Sequence, residues 1–133
     1  MYAVLVGLIV HGVAHSQNND WIAFESANDG SQFLLRPRDA AQGPGTHDIW
    51  IKIDKSKVKA TAIRHTMMLY RIDCSGQRIG VVSAASYKPD GSVAASKNFP
   101  YPTMSPVIPD TVGEELLTYI CPTPEEFSQS AGQ

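Results

Sequence analysis

Two cysteines in 133 residues are too few for a tetrahedral zinc site built on thiolates alone, and no CxxC makes them a redox motif. No apolar run is long enough to cross a bilayer as a helix. Neither sign of charge is in excess. The 11 basic and 13 acidic residues leave −2, which excludes a chain-wide nucleic-acid footprint. No G-x-S-x-G elbow and no glycine-rich phosphate loop occurs. Beyond Ser16 only His47 and His65 remain as histidines, and no local ligand spacing joins them. Charged residues are sparse at 18%, but hydrophobic residues reach 43%, enough to build the core of one domain.

The N-terminus is apolar from Tyr2 to Val10, with only Gly7 interrupting. Ala14 and Ser16 then supply the small residues a signal peptidase requires, and Gln17–Asp20 turns abruptly polar. Residues 1–16 therefore read as a secretory leader cut before Gln17, although no Lys or Arg precedes the apolar run. The alternative is a buried N-terminal strand. With the leader removed, His11 and His15 go with it, and the domain is 17–122 with a polar tail at 123–133.

Period-two alternation dominates the chain from Asp20 onward. Asp20–Ser26 and Gln32–Arg36 read as short strands around the Asn28-Asp29-Gly30 turn, and Asp39–Gly45 as a loop. In Asp48–Asp54, Ile49, Ile51 and Ile53 share one face and Trp50 and Lys52 the other. Met67–Cys74 alternates likewise, with Met68, Tyr70, Ile72 and Cys74 together. Gln77–Tyr87 places Ile79, Val81, Ala85 and Tyr87 on one side. Lys88-Pro89-Asp90-Gly91 is a turn, and Ser92–Asn98 returns as the last strand. Short connections make an antiparallel meander the economical topology. Four prolines between Pro100 and Pro109 argue for an extended connector outside the sheet. A capping box at Thr111…Glu114 opens a helix whose apolar stripe is Val112, Leu116, Leu117 and Ile120; Pro122 stops it. The fold class is thus α+β: a twisted antiparallel sheet of about six strands with a C-terminal helix on one face.

In an exported chain two cysteines are most simply joined. A bridge between Cys74 and Cys121 would tie the helix to the sheet, and Cys74 sits on the Met68/Tyr70/Ile72 face, so that face should be the covered one.

Several stretches together resemble the bacterial surface-adhesin protein E family. They are Trp21-Ile22, Ile49-Trp50-Ile51, Tyr70–Cys74, Tyr87–Val93 and Val107–Glu114 followed by Cys121, and they cover about residues 20 to 122. The resemblance implies a six-stranded twisted sheet with a disulfide-tethered C-terminal helix. For its best-known pathogen members it implies adhesion to host matrix.

Charge is split along the chain. Lys52, Lys55, Lys57, Lys59, Arg64, Arg71 and Arg78 face only Asp54 and Asp73, whereas Asp110, Glu114, Glu115, Glu125 and Glu126 have no basic neighbour in sequence. Lys52, Lys55, Lys57, Lys59 and Arg64 are therefore the candidate contacts for an acidic glycan, or for an acidic matrix or envelope protein. A solvated strand edge is the alternative reading. Trp50, Tyr101 and Tyr119 could line a groove. The expectation is an exported, non-enzymatic binding domain, periplasmic or at the cell surface, with no cofactor, metal or nucleic acid. Its alternatives are an assembly factor that pairs through an exposed edge strand, or a small hydrolase with a spatially assembled site. A pocket joining His47, His65 and a carboxylate would favour the hydrolase.

Overall fold

In the computed structural model, which describes residues 20–121, the chain runs back and forth through one antiparallel sheet. The strands are β1 (Ile22–Ser26), β2 (Gln32–Leu35), β3 (Thr46–Asp54), β4 (His65–Asp73), β5 (Arg78–Tyr87), β6 (Val93–Asn98) and β7 (Ser105–Pro106), followed by helix α1 (Val112–Ile120). The order in the sheet is β1-β2-β3-β4-β5-β6, the meander that short turns dictate. The expected leader 1–16 and tail 123–133 lie outside the described residues.

The turns use the chemistry their residues carry. At Lys88–Gly91, Gly91 takes φ +86° and donates its N–H to the Lys88 carbonyl at 3.0 Å, while the Asp90 carboxylate accepts from the Ser92 N–H at 2.9 Å. At the β1–β2 turn, Gly30 has φ +95°, and a Cβ there would lie 3.1 Å from the Lys57 carbonyl, so the β3–β4 loop packs onto it.

The core lies on the face of Ile49, Ile51 and Ile72, where Leu116 and Ile120 of α1 come down on it together with Leu35. Ile51, Ile72 and Ile120 are fully buried; each contributes about 1.5–3 kcal/mol of apolar transfer. Tyr70, Cys74 and Ile79 pack at its margin. The covered face is therefore the one that carries Cys74, and Cys74 and Cys121 are joined, with Cα atoms 5.5 Å apart.

Thr111 caps α1: its hydroxyl oxygen accepts from the Glu114 N–H at 3.4 Å, and the Glu114 carboxylate reaches back to the N–H of Asp110, one residue before the cap. At the other end, the Ala41 and Gln42 N–H groups donate to the Tyr119 and Ile120 carbonyls at 2.9 and 3.0 Å. The aperiodic loop 39–45 thus supplies the donors that a helix C-terminus lacks, and Ala41 enters the left-handed region (φ +53°) to do so.

Two expectations are corrected. The proline-rich connector is not wholly outside the sheet, because Ser105–Pro106 pairs with Arg78 and Ile79 along the same edge of β5 that β6 occupies further on. Proline is tolerated there because the outer side of an edge strand has no ladder to donate to. Gly80 permits the approach, since a Cβ on it would sit 2.8 Å from the Thr103 carbonyl oxygen and the Met104 sulfur. Second, β5 does not keep Ile79, Val81, Ala85 and Tyr87 on one side. Its register shifts between Tyr70↔Val81 and Leu69↔Ser83, leaving Val82 as the extra residue of a bulge. Ile79 and Val81 stay on the helix face, opposite Ile72 and Tyr70; Ala85 and Tyr87 pass to the other face, opposite Met67 and His65.

Candidate functional site

The bulge builds a surface. On the side away from α1, β3 presents Trp50 and Lys52, β4 presents His65, Met67 and Leu69, and β5 presents Ala85 and Tyr87. Leu34 of β2 stands beside Lys52. Trp50, Met67, Ala85 and Tyr87, with Trp21 and Arg36 at the β1–β2 end, line an open trough of about 320 Å³. All six are half-buried, so their side chains cover one another while still meeting solvent.

The rings are braced. His65 stacks on Tyr87 with centroids 4.7 Å apart and planes 17° from parallel. The Arg36 guanidinium lies 5.2 Å from the Trp21 ring centre while its Nε donates to the Asp39 carboxylate at 2.9 Å. Further along the face, Arg71 grips Asp48 through two bonds of 2.8 and 2.9 Å, which holds the Asp48 carboxyl below the usual carboxylate range.

Desolvation and then the charge of Lys52 push His65 below its ordinary value of 6.5; Arg64 acts the same way and Asp54 opposes them. A depressed histidine supports the fold in its neutral form. That stability is present above the unfolded value and is lost as pH falls through the folded one. The expected result is a urea midpoint that is level above pH 6.5, declines below it, and declines less in His65→Gln. Asp29, Asp48, Asp54 and Asp90, all held below their ordinary 3.8, are lost only at lower pH, so the two windows separate.

The five expected basic contacts divide. Lys52 belongs to the trough face, while Lys55, Lys57 and Lys59 ride on the β3–β4 loop. That loop is closed by the Lys55 N–H to the Arg64 carbonyl (2.9 Å) and the Arg64 N–H to the Tyr87 carbonyl (2.7 Å). Lys57, Lys59 and Arg64 are exposed. The aromatic trio does not converge. Trp50 lines the trough, Tyr101 is 95% exposed on the connector, and Tyr119 packs edge-on against Phe24 on the helix side. Neither do the histidines. His47 shares a hydrogen bond of 2.9 Å with the Gly43 carbonyl at the start of β3, and His65 pairs with Asp54 at its end, seven residues or roughly 23 Å along the strand.

A second concavity, of about 410 Å³, lies at the start of α1 among Glu25, Asp110, Glu114 and Glu115. Its Glu114 and Glu25 carboxylates already accept from the Asp110 and Ser26 N–H groups. Among the described residues, no group of three or more His, Cys, Asp or Glu could hold a metal ion, and no helix is long and apolar enough to cross a membrane.

Sequence reading placed Trp50 and Lys52 together but missed Trp21, Arg36, Met67, Ala85 and Tyr87 as their company. Of these, Ala85 and Tyr87 were hidden by the bulge in β5 and Trp21 by a register shift between Ala23 and Glu25; only Met67, in phase with Leu69 on the face away from Cys74, was marked by alternation. Compared with known proteins, residues 21–122 match the family model described as surface-adhesin protein E. No curated protein and no solved structure matches the chain.

Proposed function

Because this chain belongs to the surface-adhesin protein E family, we propose that it is an exported, non-enzymatic binding module that attaches to matrix or envelope components through the sheet face its helix leaves bare. The observation that carries this reading is the aromatic trough around Trp50, a concave apolar surface in a sheet whose other face is filled by α1. Lys52 sits on the same face, and Lys55, Lys57, Lys59 and Arg64 extend a positive rim that would draw in acidic partners. In this reading residues 1–16 are the leader, and the working protein begins at Gln17, in the periplasm or outside the cell.

The test is attachment of the oxidised 17–133 domain to immobilised matrix proteins. Trp50→Ala should weaken it about tenfold or more, the scale for losing an aromatic anchor. Lys55, Lys57 and Lys59 changed together to Glu should weaken it most at low salt, with the difference shrinking as salt screens the rim. Attachment that ignores Trp50→Ala rejects the bare face; attachment that ignores the triple change at low salt rejects the basic rim.

The edge strand β6 carries the assembly-factor alternative less well. All six of its residues are exposed, but Lys97 lies over the Phe99 ring at 5.1 Å and Pro100 follows, both of which blunt an edge.

A further inference from the structure

We infer that the trough takes a carboxylated pyranose of a matrix polysaccharide, with the sugar ring laid against Trp50 and the carboxylate held by Arg36 and Lys52. This rests on the bare face being the attachment surface and goes on to name the chemistry of what it holds.

Shape is the first argument. The trough is wide and open, lined by the aromatic residues Trp21, Trp50 and Tyr87 and by the cross-strand pair Met67 and Ala85. An anchor side chain of a protein partner draws its energy from a closed, desolvated pocket; this surface has no such depth. It suits a flat ring instead. The C–H groups of a pyranose face carry slight positive charge and complement the negative face of an aromatic ring. The bracing of Tyr87 by His65 and of Trp21 by Arg36 holds those rings in place on either side of Trp50 before a ligand arrives, which lowers the ordering cost of binding.

Charge is the second argument. Leu34 pairs with Lys52, so continuing the β2–β3 register brings Arg36 beside Trp50, while Lys52 is two residues along β3 on the same face. The two cations therefore bracket Trp50. Asp39 takes only the Nε of Arg36, at 2.9 Å, which leaves the terminal guanidinium nitrogens to meet a ligand, and Asp54 accepts from the Ser56 N–H at 2.8 Å. Lys52 and Arg64 also bear on His65 at the rim against Asp54 alone, so cations outnumber carboxylates at this end of the trough. A carboxylate on the sugar offsets that excess; a neutral sugar would not.

The experiment titrates the oxidised 17–133 domain with hyaluronan hexasaccharide and follows tryptophan fluorescence. Chitohexaose, which keeps an N-acetylglucosamine ring but has no carboxylate, and hexaglutamate, which has carboxylates but no ring, are run beside it. Hyaluronan should bind about tenfold tighter than either control. Trp50→Ala should lose about tenfold of that affinity, and Lys52→Gln should bring hyaluronan close to chitohexaose without changing chitohexaose itself. Both side chains face solvent on a sheet whose core is on the other side, and an unchanged melting temperature in Lys52→Gln secures the comparison. Hexaglutamate binding as tightly as hyaluronan, with Trp50→Ala indifferent, would overturn the inference in favour of an acidic peptide. So would no response to any sugar. In that last case, loss of matrix attachment in Trp50→Ala would leave the bare face standing as the contact surface and reject only the sugar.

Discussion

Replacing both Cys74 and Cys121 by Ala is expected to lower the unfolding free energy by about 2–4 kcal/mol, one of the two largest losses a small change can produce in this chain. The link joins residues 47 apart in sequence. Closing a loop of that size restricts the unfolded ensemble by roughly 4 kcal/mol in the chain-entropy model, an upper value because real unfolded chains keep some structure. The link joins two elements far apart in the chain, the end of β4 and the last turn of α1. The other ties on that turn are the capping bonds from Ala41 and Gln42, the edge-on contact of Tyr119 with Phe24, and the packing of Leu116, Leu117 and Ile120. Urea unfolding of the wild type, the double variant and the reduced wild type provides the check. The last two should agree and fall below the first. Equal midpoints for all three would mean the helix is held by packing alone.

Leu116→Ala should cost about 2–5 kcal/mol, the range for a large-to-small change at a buried site. Leu116 is 1% exposed and packs in the same cluster as Ile49, Ile51 and Ile72. Those strand residues cannot follow a shrinking partner, because the β3–β4 ladder is paired without a break from Thr46↔Asp73 to Asp54↔His65 and holds their backbone in place. The cavity stays open and its full cost is felt. The measurement is the same urea series, in both the bridged and the Cys-free backgrounds. A smaller Leu116→Ala cost without the bridge would show that α1 has already loosened from the sheet; equal costs would show that packing and the link act independently.

Legibility in the sequence followed local periodicity. The Ile49/Ile51/Ile53 alternation and the Thr111…Glu114 cap are patterns of neighbours, and the structure has both where the spacing put them, to within a residue or two at strand ends. The covered face followed from a single parity argument, Cys74 in phase with Ile72. Parity failed in β5 because one extra residue, Val82, reverses the facing of every residue after it, and a run of Gly, Val, Ser and Ala gives no apolar contrast by which to see the slip. The 39–45 loop was opaque for another reason. Its work is done by backbone N–H groups, which every residue but proline carries.

What the sequence determined alone was an antiparallel meander, a capped terminal helix, and the two sulfur atoms that hold them together, since each is written in spacing and residue type over short stretches. What only the tertiary structure decided was the trough. Trp21, Arg36, Trp50, Met67 and Tyr87 come from five separate stretches of chain. Their meeting depends on strand register and on two shifts of it, at Phe24 in β1 and at Val82 in β5, all set by hydrogen-bond pairing across the sheet, and no local pattern records which residue will stand opposite which.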